Sequence, residues 1–409
     1  MEVLHPRAAG IDISKRDAKV AVRIPGQRAG SFPVTVTTWA ATTGAILELV
    51  VMLQRAEVTT VVMEATSDYW KPFFFLMQDA DLPVVLVNAA QVKKLPGRKT
   101  DVSDAQWLAE LGAHGLVRAS FVPPEPIREL RDLTRARAVA VRDRAKQVQR
   151  LEKFLESSGI KLSSVATDLT GVSARAMLEA LIAGERDPQV LAEMAKGALR
   201  KKTPELVEAL IGRFTDHHAF MVRQHLNQID TITAMIDALT ARIEEAMAPF
   251  RLAREVLTTI PGVSTRIAEV IIAETGGDMT AFPTAAQLAS WAGVCPGSNE
   301  SAGRVKSSHT RDGNPYLKAA LGQAAMAVIR TKNTALGDRY RRLAYRRGPL
   351  RALVAIEHDI LTAVWHMLTH GEAYMPTAPR PRNPNRTRDR ALHDLKQLGY
   401  QVILQPEAA

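Results

Sequence analysis

A mixed α/β domain followed by a mostly helical chain is predicted by three observations. Short apolar runs separated by polar turns fill residues 8–36. From residue 43 to residue 114, helical periodicity alternates with buried-strand runs. Beyond Pro123 the pattern changes to long helices dense in Arg and Leu.

Taken in order, residues 8–24 (AAGIDISKRDAKVAVRI) read as a strand, a polar turn and a second strand, and Ser31–Val36 as a third. Thr43–Ala56 has helical spacing, with Ile46, Leu49, Val50 and Leu53 on one face. Thr59–Ala65 is a buried strand, Tyr69–Asp79 a helix, Pro83–Asn88 another buried strand, and Asp101–His114 a helix. Three strands, helix, strand, helix, strand, helix is the order of the ribonuclease H-like fold, an α/β layer architecture. The linker FVPPEP follows, then a helix over Ile127–Ser157, shorter helices near 173–183, 188–196 and 203–214, and a long helix over Asp216–Ala248. Leu226, Ile229, Ile232, Met235, Ile236 and Leu239 on the last are spaced by threes and fours, which suits a coiled coil or packing within the chain equally. From Phe250 a second compact, mostly helical domain is expected, with a Pro/Arg-rich, flexible basic tail after Tyr374. The expected division is 1–122, 123–250, 251–373 and 374–409.

Among 409 residues, 46% are hydrophobic and 23% charged, which excludes a wholly disordered or collagen-like chain. A single cysteine, Cys295, excludes a disulfide framework and a cysteine-rich zinc module. The first twenty residues hold no apolar signal core, and the longest apolar stretch, near Ala319–Ile329, is too short for a membrane span. A cytoplasmic protein without a membrane partner is expected. The net charge of +10 is unevenly placed: residues 251–409 carry 21 Lys/Arg against 13 Asp/Glu, while 1–124 and 125–250 are each close to neutral. That asymmetry points to a polyanion held by the C-terminal part.

Four acidic residues fall where the N-terminal fold could gather them: Asp12 in GIDIS, Glu64 in VMEAT, and Asp101 and Asp104 in KTDVSD, three apart on one helix face. Carboxylate oxygens suit hard cations such as Mg2+, and phosphodiester chemistry on two metals needs several of them. Each also has an ordinary structural alternative. Asp12 suits a strand-end turn, Glu64 a pair with a nearby lysine, and Asp101 with Asp104 a capping box.

In the last domain, VLTTIPGVSTRIAEVIIAETG (256–276) reads as helix, Pro261-Gly262 turn, helix. Gly262 would let a phosphate approach the backbone closely. The next helix, opening at Ser264 and Arg266, would offer it free N–H groups. An ordinary helical hairpin is the alternative. The polar stretch Ser298–Gly313 holds four serines with Arg304, Lys306, His309 and Arg311, and reads as a loop between two apolar helices. It suits a phosphate site that presents a hydroxyl nucleophile. On chemistry alone Ser298, Ser301, Ser307 and Ser308 are equivalent.

GIDIS (10–14), MEAT (63–66), KTDVSDA (99–105), IPGVS (260–264), FPTAAQLASWAGVCPGSNESAGR (282–304) and GNPYLKAAL (313–321) resemble the DEDD transposases of bacterial insertion sequences, the insertion sequence 110 family, which includes pilin-gene invertases. The resemblance covers both ends of the chain. It implies a domain related to Holliday-junction resolvases in which Asp12, Glu64, Asp101 and Asp104 hold Mg2+. It further implies Ser301 as the catalytic serine, and a structured non-coding guide RNA that pairs with donor and target DNA. Many relatives carry Gly directly after that serine, where this chain has Ala302.

With Gly262, Ser264, Arg266, Arg304, Lys306 and Arg311 as nucleic-acid contacts, the expected protein is an RNA-guided DNA recombinase, active as a dimer or tetramer. The acidic tetrad and Ser301 could meet within one chain or across copies. The rival readings are a junction nuclease that hydrolyses DNA with metal-activated water, and a non-catalytic RNA-binding scaffold. His217, His218 and His225 lie on one helix without supporting ligands, which favours a surface role over zinc. Tyr340 and Tyr345 sit among six arginines and read as stacking contacts to nucleic acid.

Overall fold

The computed structural model describes residues 2–28, 30–92, 104–297, 299–376 and 384–402. They form two compact units, 1–122 and 123–409.

The first unit is a five-stranded sheet covered on both faces. Its elements are β1 (Ala8–Ile13), β2 (Asp17–Arg23), β3 (Val34–Ala40), α1 (Thr43–Arg55), β4 (Thr60–Glu64), α2 (Trp70–Asp79), β5 (Val84–Val87), a short α3 (Ala89–Val92) and α4 (Asp104–Ala113). The strand order is β3-β2-β1-β4-β5. β1, β2 and β3 pair antiparallel, and β4 and β5 run parallel to β1. The pleat divides the side chains between the faces. Ile11, Ile13, Val61 and Met63 pack with Ile46, Leu49 and Leu53 of α1 and Phe73 and Met77 of α2. On the other face Val62 and Val87 meet Leu108 and Leu111 of α4, and Ala21 meets Ala105 and Ala109. The third strand begins later than the expected Ser31, because Pro33 has no N–H to give the ladder. Its remaining residues, VTVTTWA, line an exposed edge, so the apolar signal that marks the inner strands is diluted there.

The second unit opens with α5 (Glu125–Ser157), which runs beside α10 (Asp216–Ala246). Between them lie α6 (Leu162–Val165), α7 (Val172–Ala183), α8 (Pro188–Glu193) and α9 (Thr203–Leu210). Leu151, Leu155, Met177, Leu178, Leu181, Leu206, Leu226 and Ile229 form their common core. The expected helix over 203–214 stops at Leu210 because the chain turns to bond the end of α5. Lys161 N–H donates to Ala209 O, and Arg213 N–H to Ser158 O, each at 2.7 Å. The remaining elements are α11 (Arg251–Leu257), α12 (Thr265–Thr275), α13 (Ala285–Ala292), β6 (Asn299–Ser301), β7 (Arg304–Ser307), α14 (Pro315–Arg330), α15 (Ala335–Arg347), α16 (Pro349–His370) and α17 (Pro384–Gln397). One expectation is corrected: the serine stretch is a β-hairpin rather than a loop. The C-terminal tail contains α17, where Leu392 and Leu395 are helically spaced after Pro384 at the first turn. No helix among the described residues is long and apolar enough to cross a membrane.

Candidate functional site

Asp12 and Glu64 stand near the C-terminal ends of neighbouring parallel strands. The register pairs Ile11 with Met63, one residue before each acid. Since Ile11 and Met63 point into the core under α1 and α2, alternation turns Asp12 and Glu64 to the face that α4 covers. Gly10 sets how closely α4 lies on that face. A Cβ at Gly10 would stand 2.1 Å from Ala105 O and 2.3 Å from Ala109 N, so helix backbone rests directly on strand backbone. Asp12 is two residues beyond Gly10 and Asp104 one residue before Ala105, so the close approach brings these acids together. Burial, and next the charge of Asp104, push the half-buried Asp12 carboxyl above the ordinary carboxylate range. Lys19, its partner across β1 and β2, pulls the other way.

Asp101, the fourth expected acid, lies outside the described residues. Among those described, no group of three or more His, Cys, Asp or Glu converges as metal ligands. Asp12 and Asp104 are the pair whose charges bear on one another, and Glu64 shares their face. A carboxylate such as Asp12, made costlier to ionise by burial and by a neighbouring acid, suits a hard divalent cation with an oxygen shell completed by water.

In the second unit, Ser301 sits near the tip of an arm. The arm leaves the core at a neck where Gly293 and Gly313 cross. A Cβ on Gly313 would come within 2.2 Å of Ala292 O, and one on Gly293 within 2.7 Å of Arg311 O. The two sides are then tied by a bridge between Pro296 and Thr310 and by Gly297 N–H donating to His309 O at 2.9 Å. β6 and β7 continue the arm, with Ser301 opposite Arg304. The turn between them is Ala302-Gly303, with φ of +50° and +73°, a two-residue reversal with both central residues left-handed. Ser301, Arg304, Lys306 and Arg311 are all exposed. A hydroxyl opposite a guanidinium is thus carried clear of the core and exposed.

An ionic cluster that the sequence did not announce anchors the root of this arm. Glu274, at the end of α12, is fully buried. Arg135 of α5 donates to both its oxygens at 2.8 Å, Arg131 lies 3.3 Å away, and Asn314 Nδ2 donates at 2.6 Å. Asn314 Oδ1 meanwhile caps α14 by accepting from Tyr316 and Leu317 N–H, each at 3.1 Å. The signals available were the four-residue spacing of Arg131 and Arg135 and the Asn-Pro helix start. Neither names Glu274 as the partner.

Gly262 has a φ of +86°, and a Cβ there would lie 2.4 Å from Ala324 O and 2.8 Å from a Val328 methyl. The absence of a side chain therefore lets α14 pack against this turn. Ser264 caps α12 by accepting from Ile267 N–H at 3.4 Å, and Arg266 is exposed. His225 Nδ1 meets Gln147 Nε2 at 2.7 Å, His218 joins Thr215 in a capping box, and all three histidine rings pack on Phe154.

Two family models match the chain. Residues 9–160 match the model for the DEDD transposases of IS110 elements, and residues 254–341 match the transposase family IS116/IS110/IS902. The chain is 34% identical over 143 residues to the insertion element IS110 uncharacterized 43.6 kDa protein of Streptomyces coelicolor, covering 35% of each protein. It is 25% identical over 327 residues to the transposase for insertion sequence element IS1111A of Coxiella burnetii, covering 78% of this chain and 80% of that one. To the insertion element IS900 uncharacterized 42 kDa protein of Mycobacterium paratuberculosis it is 27% identical over 307 residues, covering 68% and 73%. The first model lies over the unit of Asp12, Glu64 and Asp104 and runs into α5, and the second over α12 and the serine arm. The chain belongs to the IS110 family of insertion-sequence transposases.

Proposed function

We propose that the chain cuts and rejoins DNA strands under the direction of a structured guide RNA. In this reading Ser301 is the nucleophile, and Asp12, Glu64, Asp101 and Asp104 hold Mg2+. The observation that carries the reading is the pairing of Asp12 with Asp104 through the Gly10 contact, because it places mutually repelling carboxylates where a cation would relieve them. The strand order β3-β2-β1-β4-β5, with β2 antiparallel, supports a ribonuclease H-like assignment for residues 1–122. Mg2+, when bound, would supply charge to a scissile phosphate and its leaving oxygen.

This chain's own residues do the rest. Ser301 Oγ forms an ester bond to phosphorus as the P–O bond to one deoxyribose breaks. The serine proton passes to a base, and the departing sugar oxygen takes up a proton. Phosphodiester is exchanged for phosphoserine ester, so the bond energy is kept for rejoining. Arg304, opposite Ser301 on the hairpin, offsets charge on the phosphate oxygens, and Lys306 and Arg311 hold the flanking backbone. A dimer or tetramer would act on donor and target together.

Incubating the protein with its co-purifying RNA and labelled DNA, then resolving the products on a denaturing gel, tests this. The expected product is DNA covalently attached to protein, absent in Ser301→Ala and absent from wild type under chelation. Cleavage without an attached product, surviving in Ser301→Ala, would establish hydrolysis by activated water instead.

A further inference from the structure

The α15–α16 corner carries a surface that neither the acidic site nor the serine arm uses. Six arginines lie between residues 339 and 351. Two of them are engaged: Arg339 pairs with Asp359, and Arg341 donates to Asp338 at 2.7 Å. Arg342, Arg346, Arg347 and Arg351 are exposed and have no ion-pair partner among the described residues. Two large apolar side chains stand among them, Tyr345 at 93% exposure and Leu350 at 78%. Arg342, Tyr345 and Arg346 follow helical spacing and share one face of α15. Leu350 and Arg351 follow directly across the Gly348 turn, in the first turn of α16.

Four unpaired guanidinium groups demand a polyanion. Phosphates alone would not account for an aromatic ring and a leucine left bare between them. A ring offered face-out suits stacking on an unpaired base, and an apolar side chain set among arginines suits a wedge that parts a base step. We propose that this corner is a docking surface for DNA opened at a base step. In this assignment the four arginines hold the backbone on either side, Tyr345 stacks on an exposed base and Leu350 keeps the step apart. It rests on the reading of the chain as a DNA-processing enzyme and adds where opened DNA is held.

Both apolar residues are so exposed that their substitution leaves the fold intact. Binding of the full chain is measured by fluorescence anisotropy on a paired DNA duplex, the same duplex with a central unpaired bubble, and an RNA hairpin. Tyr345→Ala is expected to weaken bubble DNA about tenfold while paired duplex and RNA change little, and Tyr345→Phe to keep wild-type affinity. Leu350→Ala is expected to reduce the preference for bubble over paired duplex. Arg346→Ala is expected to weaken both DNAs alike and to reduce the salt slope by about one. Equal loss on bubble and paired duplex in Tyr345→Ala, no loss on either, or a loss confined to the RNA would overturn the assignment. Failure of the wild-type chain to bind any DNA would instead overturn the DNA-processing reading itself.

Discussion

Replacing Gly10 with alanine would separate a site held by backbone contact from one held by side chains. The new methyl would sit 2.1 Å from Ala105 O, 2.3 Å from Ala109 N and 2.9 Å from Leu108 C. All three are helix backbone, so no side-chain rotation relieves the clash and α4 must move off β1 by about 1 Å. Overpacking of this kind costs about 1–3 kcal/mol. In a unit of this size that lowers the melting temperature by about 4 °C for each kcal/mol. The effect on activity is expected to be larger, because the same movement carries Asp104 away from Asp12. A misplacement of about 1 Å at reacting groups costs on the order of a hundredfold in rate. Thermal unfolding followed by circular dichroism, together with strand cleavage well below the transition, reads both effects. Gly44→Ala on α1 is the control, since nothing lies within 4 Å of its Cβ and alanine is the better helix former. Gly112→Ala is a milder perturbation of the same helix, because its closest contact, 2.7 Å to a Val62 methyl, is one side-chain atom rather than the backbone of a strand. Unchanged melting and unchanged cleavage in Gly10→Ala would refute the close approach and the Asp12–Asp104 pairing built on it.

Two further outcomes follow from buried charges in the second unit. Glu274→Ala strands Arg131 and Arg135 without their carboxylate and is expected to cost about 3–5 kcal/mol in denaturant unfolding, with Glu274→Gln milder because it still accepts from Asn314. Glu357 on α16 is 5% exposed, its Oε2 has no hydrogen-bond partner among the described residues, and burial raises its pKa against the pull of Lys318. A raised carboxyl favours the folded state below its ordinary pKa, and that advantage is lost as pH rises through the folded value. Unfolding free energies of wild type and Glu357→Gln should therefore diverge in favour of the variant as pH rises from 5 to 8, whereas parallel curves would show that Glu357 is not desolvated.

The inner strands were legible because a fully buried strand is written as an uninterrupted apolar run, as in TTVVMEA and PVVLVN. Element order then indicated that Asp12, Glu64 and the start of α4 would share one end of the sheet. The serine hairpin was not legible for the opposite reason. Both of its faces meet solvent, so NESAGRVKS carries no alternation, and its reversal is made by Ala302-Gly303 rather than by an Asn-Gly or Asp-Gly pair. Glycine was the most ambiguous letter. Gly10, Gly262 and Gly313 each admit another segment's backbone. The same residue in a one-dimensional string is equally consistent with a turn or with a phosphate contact.

The buried cluster around Glu274 gives the long α5 a role in the serine arm that its charge and length alone do not suggest. Arg131 and Arg135 hold Glu274, Glu274 accepts from Asn314, and Asn314 caps α14 one residue after Gly313 at the neck of the arm. A second pair, Arg137 to Glu269 at 2.5 Å, fixes the same two helices one turn further along. Glu274, at the centre of this chain of contacts, is fully buried, so a shift of α5 would leave its carboxylate without partners and without water. The root of the arm is therefore coupled to the position of α5. Arg135→Lys tests that coupling. It keeps the charge and loses the two-point grip on Glu274, so covalent attachment through Ser301 should fall while DNA affinity holds. Parallel loss of both would show that the cluster serves folding alone.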